Sequence, residues 1–404
     1  MNYPEAIDWL FSTQLFGIKL GLDGPRQLLK EFLAFPDHGV KVIHIAGTNG
    51  KGSTCAMIDA IARAGGHRCG LFTSPHLIDY RERIRVNGEE ISEDVCASYL
   101  TELRGICEGL ETHPTFFEIT LAVGMRWFRE RECDVIVLET GMGGRLDATT
   151  AVPADVCGIT PIGLDHTQWL GETLSEIARE KAGIFLEGKP ALIAPQDPEA
   201  LRVLQVEANE RRTPLGFITA PLAGYPINLQ GPHQAWNAAL AVECAFAAGL
   251  RVNYEILVEG LGKVAWPGRF EVVSHPSGQL ILDGAHNPQG AETLAKAWRA
   301  RFGDKRARLL FSAVSSKDVR GMARWLEELA DEIHVVELDS PRAISAAELV
   351  AGFPGRATIQ HDSVDSALEA LLKDDSPLLV AGSLFLVGEA KAWLQNKARH
   401  RSEQ

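Results

Sequence analysis

The sequence predicts a two-domain α/β protein with a mostly parallel sheet in each domain, and three observations carry that expectation. Apolar, β-branched runs alternate with helical patterns along almost the whole chain, as βα units do. The alternation breaks at Val264–Gln279, where Pro267, Gly268, Pro276 and Gly278 punctuate the pattern. A length of 404 residues also exceeds what one core of ordinary size holds. The boundary is placed near residue 272, which gives domains of 1–272 and 273–404.

Each strand is read from its own run. In the first domain these are "KVIHIAG" from Lys41, "CDVIVLET" from Cys133, "ADVCGIT" from Ala154 and "KPALIAP" from Lys189. In the second they are "QLILDGA" from Gln279, "ARLLFSAV" from Ala307, "DEIHVVEL" from Asp331, "RATIQH" from Arg356 and "PLLVAG" from Pro377. A helix is expected from about Ser53 to the Gly65-Gly66 pair, a natural C-terminal stop. "TLSEIAREKAGIF" reads as another, with Lys181 near its end.

Composition narrows the function. The net charge is −13 and no block of Lys and Arg stands out, which disfavours nucleic acid as a partner and favours a metabolic enzyme. The seven cysteines are scattered singly, so free thiols in a reducing compartment are expected rather than zinc or disulfides. The opening "MNYPEAIDWLF" lacks a basic-then-apolar leader, and no run of about 18 apolar residues occurs. The reading is therefore a cytoplasmic protein with no membrane partner.

The chemistry starts after the first strand. Gly47, Gly50 and Gly52 remove side chains where backbone N–H groups can converge on an anion at a helix N-terminus. Lys51 would neutralise phosphate charge, and Ser53 or Thr54 could place a hydroxyl on Mg²⁺. The alternative is a tight strand-to-helix turn without a ligand. The spacing departs from G-x-x-x-x-G-K-[ST]: only Thr48 and Asn49 separate the first two glycines, and Gly52 stands between Lys51 and Ser53. Further ligands belong at the ends of neighbouring strands. Glu139 is the first charged residue after Val135–Leu138 and suits Mg²⁺, while Asp165-His166 closes the strand after it. By residue type alone, Lys181 is a cation facing its helix dipole.

Several segments in fixed order give a resemblance: "GTNGKGST", "TSPHL", "RERIRVNG", "FFEITLA", "ETGMGGRLDAT", "LDHTQWLG", "EKAGIF", "WNAALA", "PGRFE", "DGAHNPQG" and "AGSLFLVGE". Together they resemble the folylpolyglutamate synthases of the Mur ligase superfamily, a family that includes bifunctional dihydrofolate synthases. The resemblance implies a P-loop ATPase-type N-terminal domain and a smaller Rossmann-like C-terminal domain supplying the glutamate site. It implies a monomer that uses ATP to join L-glutamate to a folate, or to dihydropteroate, through an acyl phosphate.

Site roles follow from the same resemblance. Asn49, Gly50, Lys51, Gly52, Ser53 and Thr54 cradle ATP, with Asn237, Arg269 and Asp283 as further ATP contacts. Two Mg²⁺ ions are held by Ser53, Ser74, Glu139, His166 and a carbamylated Lys181, since an unmodified ammonium would repel a cation. The pterin-bearing substrate lies against Lys19, Leu20 and Gly21, against Phe116, Phe117 and Glu118, and against Leu146, Asp147 and Ala148. Of the two adjacent phenylalanines, only one is expected to touch it. His286 faces the γ-phosphate or the incoming amino acid, and Lys317 and Ser383 are candidates for the carboxylates of glutamate. Arg269 could instead brace a hinge, and "DGAHNP" could be a turn without a ligand. Two rivals remain: another Mur-type amide ligase, or a nucleotide-dependent switch that needs neither a carbamate nor an amino-acid site. The short stretch before the loop disfavours a peptidoglycan-precursor ligase.

Overall fold

In a computed structural model, residues 1–17, 21–36, 39–276, 278–372 and 376–400 are described. They form two compact units: residues 1–76, 81–226 and 236–264 make the first, and residues 77–80, 227–235 and 265–404 the second. The division at Val264–Ala265 falls ahead of the junction expected near 272. The reason is a strand inside the expected break, Glu271–His275, which pairs antiparallel with Gly278–Leu282 of the second sheet.

The first sheet holds β1 (Lys41–Ala46), β2 (Cys69–Phe72), β3 (Ile84–Val86), β4 (Glu89–Glu90), β5 (Val135–Glu139), β6 (Val156–Ile159), β7 (Ala191–Ile193) and β8 (Leu215–Phe217). Their order is β4-β3-β2-β5-β1-β6-β7-β8, parallel except at the β2–β3 and β3–β4 pairings. β1, β5 and β6 are almost continuously buried, as expected of parallel strands covered on both faces. Glycines bring the covering helices close. A Cβ on Gly70 would lie 2.7 Å from the Phe128 ring, and one on Gly158 would lie 3.0 Å from Cys244 Sγ.

The second sheet holds β9 (Glu271–His275), β10 (Gly278–Leu282), β11 (Ala307–Phe311), β12 (Ala330–Val336), β13 (Thr358–His361) and β14 (Leu378–Ala381), in the order β13-β12-β11-β14-β10-β9. Only β9–β10 is antiparallel. Alternation along β11 sends Leu309 and Phe311 into one core, with Trp298, and Leu310 into the other, with Leu386 and Val387.

The phosphate-loop helix runs Lys51–Ala64, starting slightly ahead of the expected Ser53, and Lys181 closes the helix Leu174–Lys181. All seven cysteines are buried free thiols. Among the described residues, no helix is long and apolar enough to cross a membrane.

Candidate active site

β1 lies between β5 and β6 in parallel register, with Ile45 opposite Glu139 and Ala46 opposite Ile159. The loops leaving these three strands therefore share one edge, at the place where successive connections depart in opposite directions. Gly47, at φ +144°, has no room for a side chain: a Cβ would sit 1.8 Å from Thr160 Oγ1. Gly50, at φ +93°, caps the helix, and its missing Cβ would meet Asn237 Oδ1 at 2.7 Å. The loop is pinned from the β6 exit: Thr48 and Asn49 N–H donate to Pro161 O (3.0 and 3.3 Å), and Thr48 Oγ1 donates to Gly163 O (3.0 Å). The first intrahelical bond runs from Thr54 N to Gly50 O, so the N–H groups of Lys51, Gly52 and Ser53 have no carbonyl partner inside the helix. Those N–H groups, the helix dipole and Lys51, whose Nζ donates to Thr48 O at 3.3 Å, form a cradle for an anion.

Cation-binding groups collect beside it. Glu139 is 4% exposed, and its Oε2 accepts from Ser74 N at 3.0 Å, which brings two expected metal contacts together. His166 is in the left-handed region (φ 50°) at the start of the helix Thr167–Leu170, its N–H donating to Asp165 Oδ1 at 2.8 Å. Two buried hydroxyls in this region, Thr54 Oγ1 and Thr140 Oγ1, have no hydrogen-bond partner within the protein. Buried orphan hydroxyls are costly unless a ligand or water completes them, so the residues fit Mg²⁺ with nucleotide phosphate. Among the described residues no three His, Cys, Asp or Glu side chains cluster as a metal site. A cation here must draw on hydroxyl and phosphate oxygens too, the usual habit of Mg²⁺.

Lys181 joins the cradle from the helix end. It is buried, and its Nζ donates to Gly47 O at 2.6 Å. Burial, assisted by the charge of Lys51 and opposed by Asp165 and Asp147, lowers its pKa to about 7. Two sequence segments interlock to place it. Arg145 N donates to Glu180 O at 2.7 Å, and a Cβ on Gly144 would be 2.8 Å from Lys181 O. A Cβ on Gly183 would be 2.1 Å from Arg145 Cα. The glycines of "GMGGR" and "EKAGI" are thus the two faces of one contact.

Of the expected substrate residues, Lys19 and Leu20 lie outside the described residues, and Gly21 has φ +149°. Phe116 is buried beneath Phe11, with Arg83 stacked 5.1 Å from its centroid. Phe117 is half-buried: its Cζ lies 2.7 Å from the Cβ position of Gly141, which itself is 3.2 Å from Asp147 Oδ2. The structure therefore groups Phe117 with Asp147. Asp147 is committed locally, accepting from Met142 N at 2.8 Å and from Thr149 N at 3.1 Å; Ala148 is buried and Leu146 half-buried. Glu118 closes a capping box with Thr115, its Oε2 accepting from Thr115 N at 2.6 Å.

The second unit gathers its own polar residues where β10, β11 and β14 end. Both Asp283 oxygens accept backbone N–H groups, from Phe270 and Ala285, each at 2.8 Å. Arg269 packs over Gly284, whose Cβ would meet Arg269 Nη1 at 2.3 Å. His286 Nδ1 donates to Gly284 O at 2.7 Å, which fixes the neutral ring's tautomer with the lone pair on Nε2. Ser383 caps the helix Leu384–Gln395, accepting from Phe385 N, and Lys317 is half-buried in the turn after β11. The turn reading of "DGAHNP" therefore describes Asp283, whose two oxygens both serve the turn's backbone. His233 escaped the sequence reading: its Nδ1 is buried without a partner, and burial plus the Arg269 charge lowers its pKa to about 4. A histidine four residues before Asn237 is the signal that could have found it.

Fold and site define a phosphate-loop ligase of the Mur type. The Mur ligase middle domain matches residues 45–220, and the Mur ligase glutamate ligase domain matches residues 268–384. A dihydrofolate synthase/folylpolyglutamate synthase of Bacillus subtilis is 36% identical, covering 97% of this chain and 99% of the relative. The chain belongs to the dihydrofolate synthase/folylpolyglutamate synthase family. Escherichia coli FolC in complex with DHPP and ADP superposes with a TM-score of 0.87 at 32% identity, covering 98% of each chain. A bifunctional folylpolyglutamate synthase/dihydrofolate synthase with Mn, AMPPNP and L-glutamate bound has a TM-score of 0.86 at 33% identity, covering 96% of this chain and 98% of that one.

Proposed function

We propose that the chain is an ATP-dependent ligase that joins L-glutamate to folates and to dihydropteroate, activating the acceptor carboxylate as an acyl phosphate. The observation that carries this reading is Lys181 Nζ, buried against Gly47 O in the phosphate loop with a pKa of about 7. A neutral lysine amine is the form that takes up CO₂, and the resulting carbamate is an oxygen donor. A switch that only bound nucleotide would have no use for such a group. ATP and a divalent cation are supported by the ligands of the family's structures, and both glutamate acceptors by the relatives' names. The use of two ions and the carbamate are what the family resemblance implies. A single cytoplasmic polypeptide acting without nucleic acid completes the proposal.

A free carboxylate does not react with an amine because oxide is a poor leaving group. Phosphorylation supplies one. The acceptor carboxylate attacks the γ-phosphorus in line and ADP leaves; the glutamate α-amine then attacks the acyl carbon, and inorganic phosphate departs. Lys51 and the N–H groups of Gly52 and Ser53 stabilise charge on the transferring group. Ser53, Ser74, Glu139, His166 and carbamylated Lys181 would hold Mg²⁺, which neutralises the repulsion between two anionic reactants. Phe117 and Asp147 orient the pterin, and His286 and Lys317 serve the incoming amino acid.

The test is ADP release with Mg-ATP and L-glutamate, comparing dihydropteroate with tetrahydrofolate and weighing the products. Glutamate adducts on both acceptors are expected. Adducts on one alone would narrow the enzyme to that reaction, and ADP release with neither would overturn the folate assignment.

A further inference from the structure

At the opposite edge of the first sheet, where β2 and β5 begin rather than end, a cavity of about 1070 Å³ opens. It is lined by Arg63, Arg68, Arg126 and Arg129, with His67 between the first two in sequence. The phosphate-loop helix spans the two places: Lys51 stands at its start and Arg63 in its last turn. This cavity takes no part in the chemistry above.

Three of the four arginines are oriented by backbone carbonyls. Arg68 Nη1 donates to Arg131 O at 2.9 Å, Arg126 Nη1 to Phe32 O at 2.7 Å and Arg129 Nη1 to Leu33 O at 2.6 Å. A carbonyl orients a guanidinium without cancelling its charge. Acids are present too, and two of them pair with these arginines. Asp59 holds Arg63 Nε at 2.8 Å, Glu130 takes Arg126 and the Tyr99 hydroxyl, and Asp134 accepts from the backbone N of Arg68 at 2.8 Å. Glu132 stands 3.8 Å from Arg68 with both side chains largely in water, a pairing worth little. Each guanidinium carries five donors, so Arg63 and Arg68 keep N–H groups beyond these bonds. Four arginines and three acids, Glu130, Glu132 and Asp134, line the cavity, a slight positive excess on a chain of net charge −13. Preorganised guanidiniums of this kind select planar or tetrahedral oxyanions by paired hydrogen bonds.

We infer that this cavity binds a small multivalent oxyanion, an oligocarboxylate or an oligophosphate, at a site separate from the phosphate loop. The inference does not rest on the folate reading, because its test measures binding alone. Calorimetry on the full chain with γ-linked tetraglutamate and with tripolyphosphate distinguishes the two sources. The Lys51→Ala variant removes the phosphate loop as a competing site. Sub-millimolar binding of either probe to that variant is expected, weakened at least tenfold by adding Arg68→Gln and Arg129→Gln. His67→Glu, which removes none of the anchoring bonds, should weaken it as well, guarding against a folding defect in the double substitution. In an otherwise native chain these substitutions should leave the turnover number unchanged. Binding that disappears with Lys51→Ala, survives the arginine and histidine substitutions, or is not seen with either probe overturns the proposal.

Discussion

At Lys181, burial changes the chemistry of a single side chain. Its pKa of about 7, against 10.5 for a free lysine, follows chiefly from burial and means that about half the side chains are neutral at pH 7. CO₂ uptake requires the neutral amine, so carbamate-dependent activity should rise as pH climbs from 6 to 8. The same shift affects stability: between about 7 and 10.5 the unfolded chain binds a proton that the folded chain does not, so this group makes stability rise with pH across that window. Lys181→Ala should cut ADP release by at least about 10²-fold, the scale of losing one electrostatic stabiliser, while circular dichroism stays native. A variant that keeps full activity would remove the carbamate from the mechanism. Little of this was legible in residue type alone, which gives Lys181 as a helix-terminal cation; the burial and the bond to Gly47 O come from a loop 134 positions away in sequence. Glu139 was legible as the carboxylate that closes an apolar strand, and it is buried there with Oε2 accepting from Ser74 N. Asp283 and Ser383 were legible as polar residues after strands, but their backbone partners depend on turn geometry that spacing does not reveal.

At the scale of elements, long apolar strands announced themselves and short ones did not. β1, β5 and β6 are almost continuously buried, so their sequences are apolar apart from Lys41, His44 and Glu139. β9 alternates between partly buried and exposed residues at a sheet edge, and Pro276 beside it made the segment resemble a break. The β3–β4 hairpin carried a usable signal in Asn87-Gly88, both at positive φ (52° and 84°), the pair that a tight primed turn requires. Glycine positions allow a paired prediction. Gly183→Ala drives a methyl into the Arg145 backbone and should destabilise by about 1–3 kcal/mol, shifting Lys181 and lowering activity in the same variant. Gly105→Ala lies on the exposed side of the last turn of the helix Glu93–Glu108, with nothing within 4 Å of the new methyl. It should stabilise by about 0.4–1 kcal/mol through the unfolded chain. Thermal melts of the two variants check both signs, and equal effects would mean that the interlock of "GMGGR" with "EKAGI" carries no strain.

For the whole molecule, the phosphate loop couples ligand to stability. The N–H groups of Lys51, Gly52 and Ser53 have no carbonyl partner inside the helix, and Thr54 Oγ1 and Thr140 Oγ1 have none within the protein, so a nucleotide with Mg²⁺ bound there should stabilise the native state by mass action. At a hundredfold excess over Kd the gain is about 2.7 kcal/mol. For a unit of this size each kcal/mol raises Tm by about 2–4 °C, which predicts a rise of roughly 5–10 °C with Mg-AMPPNP. Lys51→Ala should abolish most of that rise while leaving the ligand-free Tm near the native value, because Lys51 Nζ makes one long bond to Thr48 O that its helix does not need. Thr160→Ala should act in the opposite order. It removes the hydroxyl packed beneath Gly47 and so loosens the loop itself, lowering the ligand-free Tm along with the nucleotide response. Differential scanning fluorimetry across the three proteins separates charge recognition from loop construction. A full nucleotide shift in Lys51→Ala would place the phosphates away from this loop.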